Sequence, residues 1–179
     1  MSTTAAALDA RYPIGQFKYE GPYTDAQIAR MIQDLAELPR NLRASVAGLN
    51  EQQIDTPYRD GGWTVRQTVH HVADSHMNSF IRFRLAATED NPTIRPYDEK
   101  AWADLADMKE PIETSLSLIE ALHHRLVVLL KSFKASDWKR TMVHPERGQL
   151  TCEANLAIYS WHSKHHVAHI TELRKRKGW

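Results

Sequence analysis

From Thr24 onward, apolar residues recur at helical spacing, at Ile28, Met31, Ile32, Leu35, Leu38, Leu42, Val46 and Leu49, which predicts a first long helix. Pro39 falls inside this run and is expected to kink or split it. Residues Asp55 to Gly62 read as a loop. A second helix is predicted to start sharply at Thr64, where Thr64 and Gln67 form a T-x-x-Q capping box. Val65, Val69, Val72, Phe80 and Phe83 give it an apolar side, and it should end near Thr88. Asn91-Pro92 and Arg95-Pro96 mark a long connection, with a short helix expected within Asp98–Leu105. A third helix is predicted from about Pro111, carrying Ile112, Leu116, Ile119, Leu122, Leu126, Leu129 and Leu130. A fourth runs from about Thr151 to about Lys177, with Gly178 as its terminator. No stretch shows convincing strand alternation. Residues 1–23 read as an N-terminal arm, broken at Tyr12-Pro13-Ile14-Gly15 and at Gly21-Pro22. The expectation is an all-α protein: a single four-helix-bundle domain with long connections.

Composition narrows the function classes. A chain of 179 residues with a net charge of +1 has the length of one domain, and its charges are mixed rather than gathered on a face. The one basic run, Arg174 to Lys177, suits the dipole of a last helical turn, so no nucleic-acid partner is expected. No apolar run approaches the length of a membrane span and Met1–Ala10 has no apolar signal core, so a soluble, cytoplasmic protein with no membrane partner is expected. The single cysteine, Cys152, excludes an intrachain disulfide. At a helix start its thiol could have a lowered pKa, but a nucleophilic cysteine also needs a base beside it.

The unusual count is ten histidines, and their placement matters more than their number. The predicted fourth helix contains Trp161-His162-Ser163-Lys164-His165-His166-Val167-Ala168-His169. His162 and His166, four residues apart, share a face, so their imidazoles can converge on one ion. His169 falls close to the same line, whereas His165 points away. A third ligand has to come from another helix. His71 on the predicted second helix lies on a polar stripe with Thr68, Asp74, Ser75, Asn78 and Arg82, and it ranks above His70 for that role. Three imidazoles with open positions resemble a catalytic metal site more than a closed structural one. The same residues have ordinary readings too. An i,i+4 histidine pair arises by chance, Asp74 is either a partner to a ligand histidine or a surface charge, Arg82 binds an anionic substrate or is merely solvated, and Trp63 and Trp161 pack as core or wall a pocket.

The stretches "YPIGQF" (12–17), "DTPYRDGGWTVRQTVHHVADSHMNSFIRFRLAATED" (55–90), "IRPYDEKAW" (94–102) and "YSWHSKHHVAHITEL" (159–173) resemble the DinB superfamily, in its YfiT branch. The resemblance implies a four-helix bundle, commonly a homodimer, with a metal held by one histidine of the "HHVAD" segment and two of the "WHSKHH" segment. Those positions are His71, His162 and His166. Where this chain has His169, wider members of the superfamily often have glutamine, leaving His169 as a fourth ligand or a pocket residue; Asp74, Asn78 and Arg82 are further pocket or supporting candidates. One divalent metal per chain and a small-molecule substrate are expected; histidine ligands suit zinc, nickel, copper and iron, with zinc expected first and nickel second. The resemblance allows a hydrolase that activates water, an S-transferase that activates a low-molecular-weight thiol, or a metal-binding stress-response module without catalysis. It identifies no catalytic general base.

Overall fold

The computed structural model describes residues 9–179. Three of the four long helices, the third excepted, start where a threonine side chain takes up a free backbone N–H. Helix α1 (Asp25–Val46) is capped by Thr24 with Gln27. A four-residue helix α2 (Glu51–Ile54) follows, capped by Asn50 with Gln53. Helix α3 (Val65–Thr88) begins at the Thr64–Gln67 box, with the Gln67 N–H donating to Thr64 Oγ1 at 3.1 Å and the Thr64 N–H donating to Gln67 Oε1 at 3.0 Å. Next come α4 (Glu99–Ala103), a 3-10 turn (Ala106–Lys109) and α5 (Ile112–Lys131), preceded by Pro111. A short α6 (Ala135–Trp138) leads into a hairpin of β1 (Thr141–His144) and β2 (Gly148–Thr151), and α7 (Cys152–Lys177) closes the chain. Gly178, at φ 70°, ends α7 in the left-handed conformation that glycine adopts without strain. Among the described residues, no helix is long and apolar enough to cross a membrane.

The four long helices form the bundle. Helix α1 packs against α5 and α7, and so does α3, which places α1 and α3 on one diagonal. Steps from α1 to α3 and from α5 to α7 therefore cross the bundle. The basic run at the end of α7 serves the fold: Arg174 donates to the carbonyls of Ser45 and Ala47 at the end of α1, and Arg176 to that of Tyr58.

Two features depart from the sequence reading. Pro39 does not split α1, which is one helix from Asp25 to Val46. The missing N–H leaves the Leu35 carbonyl without its usual helical donor, and the His123 ring N–H of α5 takes that place, with Nδ1 at 2.7 Å. The hairpin was not anticipated. It pairs Thr141 with Thr151 and His144 with Gly148, and Gly148 (φ 75°) lies at its turn. Its inner strand is tied to the α3–α4 connection by hydrogen bonds of 2.9 Å between Ile94 N–H and the Val143 carbonyl and between Val143 N–H and the Pro92 carbonyl. This fixes the hairpin turn, with Arg147, beside the centre of the bundle.

The core is divided in two. One apolar cluster gathers Leu35, Phe80, Phe83, Leu126, Leu130, Met142 and Leu156. The other gathers Leu38, Leu42, Val65, Val69, Val72, Ile119, Ile170 and Leu173. Along α3 the change occurs between Ala73 and Phe80, along α5 between Ile119 and Leu126, and along α7 between Tyr159 and Ile170. The intervals hold His76, His123, and His162 with His166. A layer of histidines thus crosses the bundle between two hydrophobic halves.

Candidate metal centre

His71 stands on the second turn of α3, and His162 and His166 stand one turn apart on α7. The helices bring these three together: one ring nitrogen from each lies within 4.8 Å of the others. His71 Nε2 is 3.3 Å from His162 Nε2. Two nitrogens bound to a tetrahedral ion at roughly 2.0–2.1 Å each would be about 3.3–3.4 Å apart, so this pair already has the spacing of two ligands. His166 has no hydrogen-bond partner at its buried Nδ1. The donor set therefore fits a divalent ion of the kind imidazole prefers, and three protein ligands leave coordination positions for water or substrate.

Burial keeps the rings neutral. Desolvation, reinforced by His169, lowers the pKa of His71 to about 4. Desolvation first, then mutual repulsion within the cluster, holds His162 and His166 well below the usual imidazole range. Near neutral pH the lone pairs are thus available without a proton having to leave.

The trio opens into a cavity of about 600 Å³. Trp63 packs on His71, with ring centres 4.4 Å apart, and Tyr58 stacks on His169 at 4.0 Å. The N-terminal arm runs along α7 over this space. The His169 Nε2–H donates to the Arg11 carbonyl and the Trp161 indole N–H to the Gly15 carbonyl, both at 3.2 Å. Arg11, Arg59, Lys100 and Arg147 line the cavity, against a single carboxylate, Glu99. Its electrostatic character is therefore cationic before any ion is added. A smaller cavity of about 90 Å³ also reaches His162 and is lined by Ser75, Arg82, Tyr97 and Tyr159 among others.

The remaining sequence candidates separate. His169 lines the large cavity outside the trio, and so does His165, which stacks on Trp161 at 4.2 Å. Arg82 lines the small cavity and donates to the Tyr159 hydroxyl at 3.4 Å. Asp74 and Asn78 are not brought to a ligand histidine. Asp74 faces Asp107 of the 3-10 turn, where burial raises its pKa to about 6, and Asn78 donates to the Asp74 backbone carbonyl at 2.9 Å. His70 is committed elsewhere: its Nε2–H donates to the Glu110 carbonyl at 3.0 Å, and its Nδ1 accepts from Ser115 at 2.7 Å. Cys152 is fully buried and its thiol is pushed up to about 11, the reverse of an activated nucleophile.

Two residues that sequence reasoning passed over join the site. His76 Nε2 lies 3.2 Å from His162 Nδ1, and His76 Nδ1 lies 3.0 Å from His123 Nε2. Each sits at a core position of its apolar stripe, four residues after Val72 and Ile119 respectively. A buried polar side chain there must find a partner, and that requirement was the available signal.

Comparison with known proteins agrees with this architecture. A protein of Oceanobacillus iheyensis that carries the provisional name metal-dependent hydrolase is 54% identical over 96% of this chain and 100% of its own length. One of Bacillus thuringiensis with the same provisional name is 54% identical over 96% of this chain and 99% of its own. The solved structure of YfiT from Bacillus subtilis, described as a probable metal-dependent hydrolase with an unusual four-helix bundle topology, superposes with a TM-score of 0.92 at 50% identity, covering 95% of this chain and 98% of that one. A second solved four-helix bundle protein shares the fold at 18% identity and a TM-score of 0.55, covering 85% of this chain and 99% of that one. The DinB superfamily model matches residues 25–170. With its bundle, its histidine layer and these relatives, the chain belongs to the DinB superfamily.

Proposed function

We propose that the chain is a metal-dependent enzyme in which His71, His162 and His166 hold one divalent ion, zinc first and nickel second, and that it hydrolyses a small anionic substrate. The observation that carries this reading is the convergence of three neutral imidazoles, their nitrogens within 4.8 Å of one another, beside a cavity large enough for a small molecule. A bound ion would supply Lewis acidity and make a coordinated water or thiol more acidic. The chain's own residues do the rest. Trp63 and Tyr58 exclude water from one side, and Arg59, Arg147 and Lys100 attract and orient an anionic substrate. Glu99, the one carboxylate among the residues lining that cavity, is the candidate to accept a proton.

Arg59, Arg147 and Lys100 also favour a second reading, transfer of a low-molecular-weight anionic thiol to an electrophile. Glu99→Gln separates the two. Hydrolysis that depends on Glu99 falls steeply in kcat, whereas thiol transfer, whose nucleophile ionises on coordination, does not. The deciding experiment begins with elemental mass spectrometry of untagged protein, followed by hydrolase and thiol-transfer screens with the metal found. A parent chain that takes up no ion after reconstitution overturns both readings.

A further inference from the structure

We infer that His76 and His123 are positioning residues that fix the tautomer of His162, through a one-way chain of hydrogen bonds anchored on the backbone carbonyl that Pro39 leaves without a helical donor. This rests on the reading of His162 as a metal ligand and goes further, because it assigns which nitrogen His162 presents and what makes it do so.

The direction of the chain follows from its far end. A carbonyl oxygen only accepts, so the His123 Nδ1, 2.7 Å from the Leu35 carbonyl, must carry the proton. A neutral imidazole has one N–H and one lone pair, so His123 Nε2 accepts. Its neighbour at 3.0 Å, His76 Nδ1, must then donate. By the same rule His76 Nε2 accepts, and His162 Nδ1, at 3.2 Å, donates to it. That leaves the lone pair of His162 on Nε2, the nitrogen that faces His71 Nε2 at 3.3 Å. His76 and His123 are both fully buried, so water does not offer the rings an alternative partner. Ligand histidines usually fix their second nitrogen on a carboxylate, a carbonyl or water. Here the carbonyl is two rings away, and helices α1, α5 and α3 each contribute one link.

Pro39 matters because an ordinary residue there would offer its own N–H to Leu35. With no such donor, the oxygen is open to the imidazole, and the sense of the whole chain is set by an atom that cannot titrate.

The test uses metal-free, ¹⁵N-histidine-labelled full chain and long-range ¹H–¹⁵N correlation spectra, which distinguish a protonated from an unprotonated ring nitrogen. The expected result is Nδ1–H at His123, His76 and His162 together. Nε2–H at His162, or averaged signals there, overturns the inference. Titration with zinc then compares variants. His76→Leu removes the acceptor and is expected to lose about 10–100-fold in zinc affinity and the single tautomer at His162. His76→Gln, whose amide oxygen can accept from His162, is expected to keep most of both. A His76→Leu chain with parental affinity and an unchanged His162 spectrum also overturns it. If His76→Leu does not fold, the spectrum of the parent chain decides. A parent that shows the tautomer pattern but binds no zinc refutes the metal centre and leaves the chain of hydrogen bonds standing.

Discussion

Replacing His123 by leucine should exchange stability at neutral pH for stability in acid. His123 is 1% exposed, and desolvation lowers its pKa from 6.5 to about 4, partly opposed by the hydrogen bond to the Leu35 carbonyl. Between those values the unfolded chain binds a proton that the folded chain does not. Stability present above pH 6.5 is therefore lost as pH falls toward 4, at about 1.4 kcal/mol per pH unit for this one group. By about pH 4.5 the loss from His123 alone is roughly 2–3 kcal/mol. Leucine removes that loss. It also removes the bond to Leu35 and leaves the His76 N–H unpaired in the core, which costs roughly 1–3 kcal/mol at any pH. The variant should therefore be the less stable chain near pH 7, and its deficit should shrink to about zero near pH 4.5–5. Urea unfolding followed by circular dichroism, with a chelator present and at steps across this range, reads the difference directly. The other buried histidines titrate in both chains and largely cancel. A deficit that stays constant from neutral pH down to 4.5 would falsify the assignment of His123 as a neutral, buried donor.

Three further outcomes are expected. His71→Ala and His162→Ala should each remain folded and lose the ion that the parent holds at about one per chain, as measured by elemental mass spectrometry; a variant that retains its ion excludes that residue as a ligand. Phe83→Ala empties a fully buried site in one hydrophobic half and should cost about 3–5 kcal/mol in urea unfolding, while a loss below about 1 kcal/mol would mean that the neighbouring rings close the gap. Once a substrate is known, Arg59→Ala and Arg147→Ala should each raise KM by roughly tenfold or more with little change in kcat, because a contact to a charged group is worth about 1.5–3 kcal/mol and acts equally on bound substrate and transition state. A fall in kcat at unchanged KM would move those arginines from binding to chemistry.

The long helices were legible because each buries a continuous stripe: the spacing of Ile28 to Val46 and of Leu116 to Leu130, the Thr64–Gln67 box and Gly178 correspond to α1, α5, the start of α3 and the end of α7. The hairpin was not, since alternation over four residues such as Thr141–His144 does not stand out from chance. Within the site, the face shared by His162 and His166 and the polar stripe of His71 are local properties of single helices. The contacts of His76 with His123 and His162 are not. They depend on how three helices are set against one another, and no spacing within one helix encodes that. Pro39 shows the same limit: its position suggested a broken helix, but its effect depends on a ring contributed by α5. The neighbour of Asp74, Asp107 of the 3-10 turn, was likewise beyond the reach of spacing within one helix.

The course of the arm bears on how such a protein should be purified. Arg11 and Gly15 accept hydrogen bonds from His169 and Trp161 beside the histidine cavity. An oligohistidine tag fused close to that arm would thus be held near the cavity mouth, at high effective concentration. It would compete for the ion and bring in the metal of the affinity resin, so nickel found in such a preparation would report the column as much as the protein. A tag cleaved before measurement avoids that ambiguity.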